Sequence, residues 1–359
     1  MDWSCWSVSL VIVMVIKLQV GKASTEIPPI FVFGDSTTYV GTNNYLPVER
    51  ARADFPFNGI DYRDAKPTGR FSNGYNIADT IARLFGHKRS PPPFVALLRN
   101  QPFFKRNVLW GANFASGGAG LLDFTGRQLK VITIREQVEQ FGTVCNNITQ
   151  VMGESAEKVI SNSLIIISIG SNGIFDYLLY NDTHNEEYFI TTVMQSYHYH
   201  LTNLLNPGAR KFGIVSVSPI GCIPRYRVQN PTGECIEERN LYAQKFSIEL
   251  EGIMQKLSAE FEGMKYSLGN SYEATSYIID NHLAYGFKDA ITACCGLGKI
   301  GAESPCLPNV TVCQNRDDFF WWDRYHPSQA SCEVLALTLY RGSQKYVKPI
   351  SFSQLVEDI

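Results

Sequence analysis

Four short apolar runs constrain this chain most, because none of them alternates strictly with polar residues: Pro29–Phe33, Val108–Phe114, Leu164–Ile169 and Phe212–Val217. A strand with one wet face alternates with period two. An unbroken apolar strand is instead covered on both faces, as in a parallel sheet between helices. Segments of helical spacing accompany the runs at Asn76–Phe85, Ile134–Phe141 and Tyr188–Leu205, with another from Glu237 to Phe261. This alternation predicts a doubly wound α/β sandwich. With no internal repeat, charge block or linker, the chain reads as one domain over residues 24–359.

In such sheets ligands bind beyond the carboxyl ends of the strands. The four runs are followed by Gly34-Asp35-Ser36, Ala115-Ser116-Gly117-Gly118, Gly170-Ser171-Asn172-Gly173 and Pro219-Ile220-Gly221. These polar or glycine-rich loops are expected to converge on one rim. Ser36, just past a buried strand, is the candidate nucleophile. Its base is sought in Asp323-Arg324-Tyr325-His326-Pro327, where a spacing of three is expected to bring carboxylate and imidazole to one side of a helical turn. Acyl transfer also needs donors for the oxyanion of the tetrahedral intermediate. The Ser36 and Gly117 N–H groups and the Asn172 side-chain amide are the candidates.

Other motifs carry less. Gly296-Leu297-Gly298-Lys299-Ile300-Gly301 spells a dinucleotide fingerprint but follows no strand, so it reads as a loop. His198 and His200 have no Cys or carboxylate nearby to complete a metal site. No Gly-x-Ser-x-Gly elbow occurs, which argues against the α/β-hydrolase fold. Phe319, Phe320, Trp321 and Trp322 either shape an acyl pocket or belong to the core. With 32 basic and 34 acidic residues the net charge is -2, so nothing points to nucleic acid or an anionic membrane surface.

The N-terminus reads as a signal peptide over residues 1–23. Its apolar core, Val8–Ile16, is too short to span a bilayer, and Gly21-Lys22-Ala23 suits cleavage, although Asp2 and the lack of Lys or Arg ahead of the core are atypical. No later run is long enough to cross a membrane. Eight cysteines remain after removal of Cys5, an even count that fits disulfides in an oxidising compartment. Cys332 is the candidate for an unpaired core thiol, which would leave a second cysteine free as well. Acceptor triplets for N-glycans begin at Asn147, Asn181 and Asn309. Export is the expected fate.

The segment Phe31–Ser36 resembles the first block of the plant GDSL esterase/lipases, members of the SGNH hydrolases. Gly69–Gly74, Asn113–Gly120, Ile167–Asn172, Pro219–Pro224, Ala293–Gly296 and Asp323–Pro327 resemble further blocks, in family order. The resemblance implies a flavodoxin-like three-layer α/β/α sandwich with a small parallel sheet. It implies Ser36 as nucleophile, His326 and Asp323 completing a triad, Gly117 and Asn172 in the oxyanion hole, export, and no cofactor. The implied activity is hydrolysis of carboxylic esters of lipids or acylated glycans. An acyltransferase using the same serine, or a weakly active secreted binding protein, is the alternative. Thr37, Tyr39, Thr42 and Gly173 stand where the family pattern has Leu, Asp, Asn and Asp. None is a catalytic group, but all four lie near the expected site.

Overall fold

In the computed structural model, which describes residues 27–47, 51–180 and 185–357, each apolar run contributes a strand buried on both faces. These are β1 (Ile30–Gly34), β2 (Gly111–Asn113), β3 (Leu164–Ser168) and β4 (Lys211–Val215). Lys265–Gly269 adds β5, and Val347–Pro349 adds an edge strand, β6, to a sheet of order β6-β5-β4-β3-β1-β2. Every pairing is parallel except that of β6 with β5. The expected leader, residues 1–23, and the acceptor Asn181 lie outside the described residues.

The expected helices are present as Ile77–Leu84, Ile134–Met152, Glu186–Leu205 and Glu237–Glu260. Two of them start at capping boxes, Asn76 with Asp79 and Thr133 with Glu136, which satisfy orphan N–H groups of the first turn. The last three pack against one another in a row; Ile77–Leu84, Gln329–Arg341 and Ser271–Asp280 form a second row. Helices in two layers around a mainly parallel sheet give the three-layer sandwich. One cluster of buried apolar side chains runs through the sheet and both helix rows.

The second run departs from expectation. Val108–Trp110 is a 3-10 turn that follows the helix Gln101–Asn107, and only Gly111–Asn113 is extended. Gly111 runs so close to β1 that a Cβ there would lie 2.1 Å from the Ile30 carbonyl oxygen. β5 and β6 were not anticipated, because Lys265 and Tyr266 interrupt one and Lys348 and Pro349 the other.

Register fixes the working edge. Gly34 pairs with Ser168, Ser168 with Val215, and Val215 with Gly269, so four adjacent strands end level. A cysteine-rich excursion stands beside this edge. Its strand Asp289–Ala293 runs parallel to Phe319–Trp321, and Cys295–Gly296 pairs with Thr311–Val312. Cys294–Cys313 and Cys295–Cys306 lock the excursion, while Cys222–Cys235 closes the loop after β4. Cys332 is a buried free thiol, as expected, and Cys145 is the second.

Candidate active site

The turn after β1 is held from both sides. Gly34 has φ 144°, and a Cβ there would lie 2.1 Å from the Ser168 carbonyl oxygen, so only glycine fits. Gln137, buried on the helix Ile134–Met152, accepts from the Gly34 N–H at 2.9 Å and donates to its carbonyl at 3.0 Å. Asp35 folds back so that its Oδ1 accepts from the Thr37 N–H (2.9 Å) and Oγ1 (2.8 Å). Burial pushes the Asp35 carboxyl up, against the Thr37 bonds and the nearby His326. Ser36 follows, with its Oγ 2.8 Å from His326 Nε2.

Asp323 and His326 meet, but not on a helical turn. They sit in a bend after the strand Phe319–Trp321. Asp323 Oδ1 accepts from the backbone N–H groups of Tyr325 (2.7 Å) and His326 (2.8 Å), so the carboxylate itself builds the turn. His326 Nδ1 lies 2.9 Å from both carboxylate oxygens. Burial alone would raise the Asp323 carboxyl, but His326 and the two backbone N–H groups outweigh it and hold it below its ordinary value. An ionised carboxylate only accepts, so Nδ1 carries the hydrogen and Nε2 offers its lone pair to the Ser36 hydroxyl. Phe71 stacks on the imidazole at 4.7 Å, and Tyr39 packs on Phe71 at 5.6 Å.

The loop after β2 lies on the same rim. Asn43 donates to the carbonyls of Gly117 (3.0 Å) and Ala51 (2.8 Å) and accepts from Ser116 Oγ (2.6 Å). A Cβ on Gly117 would come within 3.0 Å of the Phe71 ring. Asn172, second residue of the helix Ser171–Tyr180, gives one amide hydrogen to the Ala119 carbonyl at 2.9 Å and retains another. Among the described residues the Ser36 and Gly117 N–H groups have no protein acceptor.

A cavity of about 80 Å³ opens beside Ser36, with His326, Asn172, Ile77, Phe320 and Trp321 in its wall. The aromatic run therefore divides. Phe320 and Trp321 face the cavity, whereas Trp322 packs among Cys294, Cys295, Cys306 and Val310 and donates to Asn58. His198 and His200 are not among the lining residues. Reading the sequence alone passed over Gln137 and Asn43, and gave Phe71 no role beyond its place in the block Gly69–Gly74. Gln137 left a signal, a polar residue on the apolar face formed by Ile134, Val138 and Phe141. The site as a whole can draw a proton from a serine hydroxyl beside donors for a developing anion.

Residues 30–339 match the family model for GDSL-like lipase/acylhydrolase. One GDSL esterase/lipase of Arabidopsis thaliana is 35% identical over 350 residues, covering 95% of this chain and 93% of its own. A second from the same plant is 33% identical over 349 residues, covering 94% and 93%. A third is 35% identical over 341 residues, covering 92% and 94%.

Proposed function

This chain belongs to the GDSL-like lipase/acylhydrolase family and is an ester hydrolase, and from that premise we propose that it acts through Ser36, His326 and Asp323. The chain of hydrogen bonds from Ser36 Oγ to Nε2, and from Nδ1 to both oxygens of Asp323, carries this reading. Ser36 Oγ attacks the acyl carbon while its proton passes to Nε2, and Asp323 stabilises the imidazolium. The Ser36 and Gly117 N–H groups and the free amide hydrogen of Asn172 receive the oxyanion. Collapse returns the proton to the departing alkoxide and leaves an acyl-serine. Water, deprotonated by the same imidazole, attacks the acyl carbon, and Nε2 returns that proton to Ser36 Oγ as the acid leaves.

Hydrolysis of 4-nitrophenyl acetate tests the assignment. Ser36→Ala should reduce turnover to background with an unchanged circular dichroism spectrum, and His326→Ala nearly as far. Asn172→Ala should lower kcat more than it raises KM, by about 3 kcal/mol in activation free energy. Asp323→Asn should lower turnover less than His326→Ala, since the carboxylate orients the ring and accepts no proton. A folded Ser36→Ala protein with wild-type turnover would overturn the reading.

The substrates fall within esters of lipids, polyesters or acylated glycans. Export completes the proposal, with residues 1–23 as the leader and 24–359 as the single mature domain. Three disulfides suit an oxidising compartment, and no helix among the described residues is long and apolar enough to cross a membrane. Asn309 is exposed in a turn and Asn147 is half-exposed on a helix, so both offer sites for glycans.

A further inference from the structure

The cavity beside Ser36 extends across the sheet, and both hydroxyls and apolar side chains line it. Its wall passes from Thr37 after β1, by Ser168 on β3 and Ser216 after β4, to Ser271 and Thr275 on the helix that follows β5. Those four strands are neighbours in the sheet. Three strand spacings make a furrow of ~14 Å, roughly the extended length of a ten-carbon acyl chain. The rest of the wall is largely apolar, with Ile77, Ile220, Phe320, Trp321 and Leu335.

The far end is lined with hydroxyls. Ser218 and Ser271 hydroxyls bond each other at 2.7 Å, and Ser216 Oγ accepts from Ser247 Oγ (3.1 Å) and the Ser271 N–H (3.0 Å). Thr275 is the exception. It is 1% exposed, lines the cavity, and its Oγ1 has no hydrogen-bond partner among the described residues. A helical threonine ordinarily returns its hydroxyl to the carbonyl one turn back, and a buried hydroxyl left unpaired is unfavourable.

We propose that this furrow is the acyl subsite and that it takes a linear acyl group bearing a hydroxyl near its far end, recognised by Thr275. The proposal rests on Ser36 being the nucleophile, because that fixes which end of the furrow receives the ester carbonyl. A plain alkyl chain covers apolar wall but leaves Thr275 unpaired. A hydroxyacyl chain of matching length gives it a partner, and sites built to bond a substrate hydroxyl discriminate against analogues that lack one.

The test compares 4-nitrophenyl decanoate with 4-nitrophenyl 10-hydroxydecanoate in wild type and in Thr275→Val, a change of nearly equal volume. Wild type should favour the hydroxyacyl ester about tenfold in kcat/KM, and Thr275→Val should bring the ratio to within about twofold of unity. A wild-type ratio already within about twofold overturns the proposal, as does a preference that survives Thr275→Val. Cleavage of 4-nitrophenyl acetate, abolished by Ser36→Ala, separately establishes the nucleophile. If that ester is cleaved and neither long ester is, the furrow is no acyl subsite. If no ester is cleaved, the assignment of Ser36 and this proposal fall together.

Discussion

Asp35 and Asp323 are both buried carboxyls beside His326, and their surroundings push them in opposite directions. Burial dominates at Asp35 and raises it, whereas His326 and two backbone N–H groups overcome burial at Asp323 and lower it. The two then act oppositely on stability. A carboxyl raised in the folded state favours folding while protonated, and that contribution is lost as pH rises above its ordinary value of 3.8 through the folded one. Asp35→Asn retains an oxygen acceptor for Thr37 and cannot ionise. Its melting temperature relative to wild type should therefore increase as the buffer is taken from about pH 4 to about pH 7. Thermal scans across that range decide the matter, and a flat difference would mean that Asp35 bears no burial penalty. The four departures from the family pattern also act at this scale. Thr37 bonds Asp35 and reaches Ser168 Oγ at 3.0 Å, and Tyr39 bonds the Asn43 N–H and Asn44 while bracing Phe71. Gly173 has no steric need to be glycine, since a Cβ would only touch Thr125 at 3.8 Å. Nothing in the structure explains Thr42, whose buried hydroxyl has no partner among the described residues.

The cysteine-rich excursion is the element on which the site depends most and which owes least to the main core. Its own small cluster is built from Cys294, Cys295, Cys306, Val310 and Trp322. Backbone N–H groups of Cys294 and Cys295 donate to the carbonyls of Trp321 (3.0 Å) and Trp322 (2.7 Å), holding the chain that leads straight into Asp323. Two disulfides do here what a larger apolar core does elsewhere. Replacing both Cys294 and Cys313 with Ala opens a loop of sequence separation 19 and should cost about 3 kcal/mol of stability. Turnover should fall in the same variant, because Asp323 loses its brace. Denaturant midpoints and steady-state rates measure the two effects, and an unchanged midpoint with full activity would contradict the role given to this element. Helix ends at the site are set more locally. The Asn76–Asp79 capping box also anchors Arg70, whose guanidinium makes a buried two-point pair with Asp79 at 2.6 and 2.7 Å. That pair fixes the loop carrying Phe71 against His326.

At the scale of the whole molecule, level parallel strands gather polar loops onto one edge, and helices on both faces keep water from the sheet. The export expected for such a chain gives the last prediction. Protein recovered from a secreting host should begin near Ser24, and enzymatic deglycosylation should lower its intact mass through glycans at Asn309, Asn147 or Asn181. Mass spectrometry before and after treatment checks both points. A retained leader with no mass shift would argue against export.

The sequence by itself located β1, β3 and β4, the end of β2, the long helices between them, and the loops that carry Ser36, Gly117 and Asn172. Period, apolar content and loop composition are local properties, whereas the level edge rests on a register between distant strands. Asp323 and His326 were legible as a pair because only two residues separate them. Their bend was not legible, because the carboxylate bonds backbone N–H groups that a helix would have engaged differently. Gln137 gripping Gly34 across 103 residues and Phe71 lying on His326 are meetings of distant segments. The pairing of eight cysteines into three bridges and two buried thiols is another. The unpaired hydroxyl of Thr275 at the end of the furrow belongs with them, because whether a buried group finds a partner depends on every segment packed around it.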